Sequence, residues 1–279
     1  MNGNEYKESL RKIHPTIYYM GEKIDCVVDH PMIKPHVNSA AMTYDLACDP
    51  MYENLMTATS HLTGKKVNRF THIHQSIEDL VNKVKMMRMI AQKTGTCFQR
   101  CVGFDAMNAT FITTYNMDKK YGTNYHERFK KWMTYVQEND LMIAGAMTDV
   151  KGNRSLKPSK QADPDLFTHV VEKREDGVVI CGAKAHMTGM ANSHEMLILP
   201  TTNLLEGDQD YAIACAVPVD AEGITHIFGR QTNDQRRLQG DLDTGNSEYA
   251  IVGGETLTVL DHVFVPWDRV FMCGEVDFA

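Results

Sequence analysis

Near residue 141 the hydrophobic period of this chain changes, and that change constrains the fold more than any other feature of the sequence. Before it, apolar side chains recur every three to four residues, the spacing of one helix face; after it they recur at every second residue in short runs, the spacing of strands with one buried face. The clearest helical signal opens at Ser76. Ser76 can cap, Asp79 can answer it in a capping box, and Ile77, Leu80, Val81, Val84, Met87 and Ala91 predict a stripe that faces the core. A second helix follows Asn124, with Tyr125, Phe129, Trp132, Met133 and Val136 as its buried face and Lys130 and Lys131 as its wet one, ending near Asn139-Asp140. Residues 4–13 read as a helix capped by Asn4 and stopped at His14-Pro15. A loop is expected over 28–37, where Pro31 and Pro35 stand, then a helix over 39–48 that Asp49-Pro50 stops, and a long apolar helix over 97–119.

In the second half, His169 to Ile180 reads as two strands joined through Asp176-Gly177, a strong hairpin signal. Further short strands are expected at 196–199, 211–218, 223–229 and 256–265, and residues 152–163 form a loop-rich connection. The fold class is therefore α+β: a helical domain over residues 1–140 and a β-barrel-like domain over 141–279, without an internal repeat.

Composition excludes several classes of function. A length of 279 residues with 43% hydrophobic and 23% charged side chains suits an ordinary folded core. The net charge of −7 without a basic run argues against a nucleic-acid partner. The amino terminus lacks an apolar signal core, and no apolar run approaches the ~18 residues that span a bilayer. Seven cysteines form an odd set without disulfide-rich spacing, which suits a reducing compartment. These features read as a cytoplasmic protein with neither a membrane nor a nucleic-acid partner.

Three stretches carry candidate chemistry. In Thr94-Gly95-Thr96-Cys97-Phe98-Gln99-Arg100-Cys101 two cysteines are separated by three residues, and on a helix their Cβ atoms would lie about 5–6 Å apart on one face. Two soft sulfur donors suit part of a zinc or iron–sulfur centre but cannot complete one. The same pattern also suits two ordinary buried cysteines, and zinc completed by His72 or His74 is a third option. His30 and His36 stand as loop anchors or ligands. Ala146 to Ser155 offers a hydroxyl, backbone donors, Gly152 and the Arg154 cation, which suits a flavin edge and a phosphate as well as it suits a polar loop. Thr188, at the end of Gly182-Ala183-Lys184-Ala185-His186-Met187-Thr188-Gly189, is a candidate hydrogen-bond donor to a ring atom or a turn-stabilising hydroxyl. Glu255, after Gly253-Gly254, is a candidate acid/base or an exposed turn carboxylate.

Several segments together resemble the 4-hydroxybutyryl-CoA dehydratases. They are Phe98-Gln99-Arg100-Cys101-Val102-Gly103, Lys120-Tyr121-Gly122-Thr123-Asn124-Tyr125-His126, Gln137-Glu138-Asn139-Asp140-Leu141, Gly145-Ala146-Met147-Thr148-Asp149, Val171 to Gly177, Gly182 to His186, Tyr211-Ala212, Gly229-Arg230-Gln231, Val263-Phe264-Val265-Pro266 and Phe278-Ala279. That family belongs to the flavin group that also contains 4-hydroxyphenylacetate 3-hydroxylase.

The resemblance implies an acyl-CoA dehydrogenase-like fold: a helical amino-terminal domain, a β-barrel and a carboxy-terminal helical bundle, the last absent here. It implies FAD between the domains, a 4Fe–4S cluster nearby, an acyl-CoA substrate and a homotetramer. The implied reaction is dehydration of 4-hydroxybutyryl-CoA to crotonyl-CoA, with a related vinylacetyl-CoA isomerisation, for which the flavin and cluster supply one-electron and Lewis-acid chemistry. Carried over by motif position, Cys97 and Cys101 ligate iron and Gln99 lies between them. Thr188 hydrogen-bonds to flavin, and Met147, Thr148, Asn153, Arg154 and Ser155 form part of the flavin cradle. Glu255 assists as a polar or acid/base group. A histidine and a third cysteine ligand of the family fall past the position of Ala279, so the chain by itself is expected to hold neither a stable four-iron cluster nor FAD tightly. Two other readings are a flavin-dependent aromatic hydroxylase and a non-catalytic flavin-binding or assembly fragment. Against the hydroxylase, Phe104-Asp105-Ala106 lacks the arginine and tyrosine those enzymes carry for a phenol.

Overall fold

Local rules set the first helix. Asn2, rather than Asn4, caps α1 (Gly3–Leu10): its side chain accepts from the Glu5 N–H while the Glu5 carboxylate accepts from the Asn2 N–H. The structure, a computed structural model, describes residues 1–95, 97–229, 248–249 and 254–279. Thr96, Arg230, Gln231 and Gly253 of the sequence motifs lie outside the described residues. Helix α2 (Lys34–Cys48) begins inside the stretch expected to be a loop, because Pro35 sits in the first turn, where its missing N–H has no helical partner to lose. A one-turn helix α3 (Glu53–Met56) follows. Helix α4 (Ile77–Thr94) carries the expected Ser76–Asp79 capping box and ends on Gly95 in the left-handed region. Helices α5 (Cys101–Tyr121) and α6 (Tyr125–Glu138) complete the helical part.

The expected stripe of α6 is buried in full, from Tyr125 to Val136. That of α4 is not. Ile77, Leu80, Val81 and Val84 are 82, 48, 44 and 64% exposed, and the helix instead buries Met86, Ile90 and Thr94. Met86 lies on roughly the opposite side of the helix from Val84. The reason is the ground beneath it: Met86 and Ile90 join a cluster of Phe70, Phe98 and Phe104, and only one side of α4 can rest there.

The strands are β1 (Ile17–Tyr19), β2 (Glu22–Lys23), β3 (Thr57–Thr59), β4 (Lys66–Asn68), β5 (Ile143–Ala146), β6 (His169–Lys173), β7 (Gly177–Thr188), β8 (Glu195–Ile198), β9 (Ile213–Pro218), β10 (Ile224–Phe228), β11 (Glu255–Pro266) and β12 (Val270–Cys273). They build a six-stranded sheet in the order β2-β1-β10-β11-β7-β6, a four-stranded sheet β12-β9-β8-β5, and the hairpin β3-β4. The Asp176-Gly177 hairpin forms as expected, pairing β6 with β7. The expected barrel does not: among the described residues the sheets remain open. Two of the pairings, β1 with β10 and β5 with β8, are parallel and join segments far apart in the chain, so strands do not simply pair with their neighbours around a ring.

The longest ladder joins β7 and β11, from Glu255 opposite Thr188 to Pro266 opposite Gly177, with bulges near Thr256 and after Leu260. One large apolar cluster unites α5 and α6 with both sheets, and a second packs α1 and α2 around Tyr6, Val37 and Tyr44. Helix α5 lies close on β5, since a Cβ on Gly103 would meet the Ile143 carbonyl oxygen at 1.9 Å. This contact anchors the helix two residues after Cys101. Among the described residues no helix is long and apolar enough to cross a membrane.

Candidate functional site

The two cysteines do not share a helix. Helix α4 stops at Gly95 and α5 starts at Cys101, so Cys97 lies in the connecting turn, where Gln99 adopts φ 69, a backbone region that side chains other than glycine enter seldom. The turn still brings the thiols together, and they hydrogen-bond to one another. That bond, helped by the Val102 and Cys101 N–H groups at the start of α5, holds Cys101 down to about 7 against the opposing effect of burial. The same bond, with burial, pushes Cys97 up. The Gln99 N–H donates to Cys97 Sγ at 3.4 Å.

Arg100 fixes the turn from the other side. It is buried, donates to Thr43 Oγ1 at 3.0 Å, and lies 4.2 Å from the Tyr44 ring and 4.6 Å from the Phe70 ring. Gln99 is buried too. Its Nε2 donates to the Cys97 carbonyl, while its Oε1 has no hydrogen-bond partner among the described residues. A buried acceptor left so costs about 1–3 kcal/mol, which fits a position beside a bound group or an ordered water.

The end of β7 presses against this turn. At Gly189, with φ 75, a Cβ would lie 2.5 Å from the Gln99 carbonyl oxygen, so only glycine admits the approach. Thr188, half-buried, stands opposite Glu255 in the β7–β11 ladder, and the Gly189 N–H donates to the Gly254 carbonyl at 3.3 Å. Glu255 Oε2 lies 3.6 Å from His186 Nδ1, and the Glu255 charge contributes to raising Cys97. Cys97, Gln99, Cys101, Thr188 and Glu255 therefore gather from three separate stretches. His36 joins them from α2, its ring so close beneath Gly254 that a Cβ there would meet Nδ1 at 2.5 Å. His36, a candidate ligand in the sequence, arrives here from the first turn of α2 rather than from the loop expected over 28–37.

Met147 and Thr148 run beside β7: the Thr148 carbonyl accepts from the Ala185 N–H at 2.7 Å and the Met147 carbonyl from Lys184 Nζ at 3.0 Å. Both residues are half-buried. Asn153, Arg154 and Ser155 are exposed in a loop that bonds to itself, with Asn153 Oδ1 accepting from Ser155 and the Asn153 carbonyl from Gln161. The zinc option is corrected by the geometry. His72 Nε2 faces Asp79 at 3.2 Å and His74 packs edge-on against Phe104. Among the described residues the one trio of metal-type ligands is Cys181 of β7 with Asp261 and His262 of the β11 bulge. Phe104 is buried and Asp105 is paired with Lys83, so neither replaces the missing arginine and tyrosine as a phenol-binding group.

A family profile described as 4-hydroxyphenylacetate 3-hydroxylase N terminal matches residues 2–272. The chain belongs to that family. It is 56% identical over 281 residues to a 4-hydroxybutyryl-CoA dehydratase/vinylacetyl-CoA-Δ-isomerase of Clostridium aminobutyricum, covering 100% of this chain and 57% of that relative. It is 30% identical to the 4-hydroxyphenylacetate 3-monooxygenase oxygenase component of Thermus thermophilus, covering 99% and 56%. An archaeal 4-hydroxybutyryl-CoA dehydratase structure from N. maritimus superimposes with a TM-score of 0.96 at 53% identity, over 100% of this chain and 55% of that one. An oxygenase component of 4-hydroxyphenylacetate 3-monooxygenase complexed with FAD gives 0.82 at 28%, over 100% and 56%. The chain thus spans a little over half the length of these relatives.

Proposed function

We propose that this chain forms the cysteine-and-flavin wall of a 4-hydroxybutyryl-CoA dehydratase with vinylacetyl-CoA isomerase activity, acting on an acyl-CoA thioester. The observation that carries the reading is the meeting of the Cys97–Cys101 turn with Thr188 and Glu255, in a chain 56% identical to such an enzyme. The donor set fits a soft metal centre: two adjacent thiols, Cys101 lowered by the hydrogen bond with Cys97, with a buried Gln99 oxygen beside them. Two donors are half of what a four-iron cluster takes, and the rest must come from outside these residues. The half-buried Met147, Thr148 and Thr188 fit the edge of an FAD, as FAD-complexed relatives suggest.

When bound, the flavin and the cluster supply one-electron and Lewis-acid chemistry. Cys97 and Cys101 would hold the metal as thiolates. Thr188 Oγ1 would donate to a bound flavin, Gln99 would orient groups between the sulfurs, and Glu255 Oε2 would accept or return a proton at the substrate. Asn153, Arg154 and Ser155 would complete the cradle, with the Arg154 cation available to a phosphate. In this reading residues 1–140 and 141–279 form the helical and β domains of an acyl-CoA dehydrogenase-like arrangement, within a cytoplasmic homotetramer.

The test joins this chain to the remaining region of the dehydratase relative, reconstitutes it anaerobically with iron, sulfide and FAD, and follows crotonyl-CoA formation from 4-hydroxybutyryl-CoA. Cys97→Ser and Cys101→Ser are expected to abolish the iron–sulfur absorption and turnover. Glu255→Gln is expected to lower kcat by about 10²–10⁴-fold. Full turnover in the double serine variant would sink the reading, and oxidation of 4-hydroxyphenylacetate would favour the hydroxylase instead. Residues 1–279 alone are expected to show no four-iron band after the same treatment.

A further inference from the structure

Lys184 is among the most buried side chains of the protein, in the middle of β7, and its three ammonium hydrogens have three acceptors: Met147 O at 3.0 Å, Leu199 O at 2.9 Å and Asp149 Oδ1 at 2.7 Å. Asp149 is buried as well. Its Oδ1 also accepts from the Thr168 N–H at 3.1 Å, and Asp149 and Lys184 form an isolated antiparallel bridge. The Leu199 N–H, in turn, donates to Ala146 O at 3.0 Å. One ammonium group thus ties the chain leaving β5, the chain leaving β8 and the middle of β7, at the seam between the two sheets.

A buried ion pair is weak evidence for stability, since desolvating both charges offsets most of their attraction, and apolar replacements of matching volume are often neutral. What such a group supplies, with every donor used and no rotamer to spare, is a fixed geometry for the backbone it holds. That backbone is Met147 to Asp149, joined to β7 by the Thr148–Ala185 hydrogen bond and the Asp149–Lys184 bridge, three residues before Thr188 at the end of the strand.

We infer that Lys184 and Asp149 are positioning residues that hold the Met147–Thr148 backbone as a rigid wall for the flavin, an inference that rests on the flavin reading above. Neither touches the reacting atoms; they act through the carbonyl of Met147 and through the Thr148–Ala185 hydrogen bond.

The experiment takes the chain joined to the remaining region of the dehydratase relative, as in the preceding test, and compares it with the same joined chain carrying the charge-neutral double variant Lys184→Met/Asp149→Asn, which leaves the Thr168 N–H an acceptor and strands no lone charge. Two quantities are read: amide hydrogen exchange at Ala185, whose N–H reports on Thr148, against exchange at Ile180 in the same strand, and FAD affinity by titration of flavin fluorescence. The expected result is exchange about tenfold or more faster at Ala185 with Ile180 unchanged, and FAD bound about tenfold or more weakly, the size of one well-placed hydrogen bond lost. Equal acceleration at both amides would mean a merely structural role and would overturn the inference. So would unchanged FAD affinity in a variant whose wild-type parent binds FAD saturably. Absence of saturable binding in the wild-type chain would instead remove the flavin wall itself, and the inference with it. Lys184→Arg/Asp149→Glu serves as a second variant should the neutral pair fail to fold: it keeps the charges and shifts the carbonyl contacts, and unperturbed FAD affinity there also counts against positioning.

Discussion

Helix α6 lays Phe129 and Trp132 against Phe271 of β12, ring centroids 5.1 and 5.6 Å away, and the Trp132 indole N–H donates to the buried Glu195 carboxylate at 2.7 Å. Helix α4 turns Ile77, Leu80, Val81 and Val84 outward and rests on Met86 and Ile90. Both helices carry an apolar stripe at the right spacing, and α4 has the better cap. The difference teaches that a stripe states which face would gain from cover, while only the surrounding elements decide whether cover is there. For α6 a sheet arrives from more than a hundred residues downstream; for α4 the nearest aromatic cluster lies on the other side.

The comparison can be broken most directly on α6. Phe129→Ala is expected to cost about 3–5 kcal/mol by chemical denaturation, because it empties a site packed between Trp132 and Phe271. A loss below about 1 kcal/mol would show that α6 is no better covered than α4.

Acid probes how closed the sheet side is. Burial depresses His226 to about 4, its Nε2–H donating to the Val219 carbonyl, and burial with the nearby Arg100 charge depresses His194 to about 4. A histidine whose folded pKa lies below the unfolded value of about 6.5 favours the folded state above that value, and the advantage is lost as pH falls toward 4. Stability is expected to drop over that window by on the order of 3 kcal/mol for each histidine. In His226→Gln, the part of this slope that belongs to His226 should vanish in denaturation curves taken from pH 7 to 4. An unchanged slope would mean that water already reaches the ring.

The smallest effect belongs to the outward stripe. Ile77→Ser and Val84→Ser are expected to shift stability by no more than about 0.5 kcal/mol while improving solubility, since neither side chain is covered among the described residues. A loss above about 2 kcal/mol would mean that this face is packed in solution after all.

What could be read ahead of the fold was whatever rests on near neighbours in sequence. The Ser76–Asp79 box and the Asp176-Gly177 hairpin each depend on contacts within a few residues, and the α6 stripe was legible as a pattern although its cover comes from distant strands. What could not be read depends on distant partners or on competing local choices. Asn2 and Asn4 are equally good caps by type, and Glu5 decides between them by standing three residues after Asn2. Pro35 looked like a loop marker and is a first-turn residue. The cysteine pair was expected on one helix; Gly95 ended α4 too early for that, and the thiols meet through a turn whose Gln99 conformation no spacing rule signals. Thr188 and Glu255 were singled out separately, and only the β7–β11 register makes them neighbours. The open sheets, in place of a barrel, follow from parallel pairings that a count of strands does not contain.

The pairing of β1 with β10 has a consequence for how the chain is made. Ile17 emerges from a ribosome roughly two hundred residues before His226, its partner in the sheet. At about 5–20 residues per second, that leaves the first strand without its neighbour for roughly 10–40 s. Through that interval a two-strand flap with bare backbone edges hangs from the nascent chain, so chaperone supply during translation, more than final stability, should govern how much protein a cell recovers.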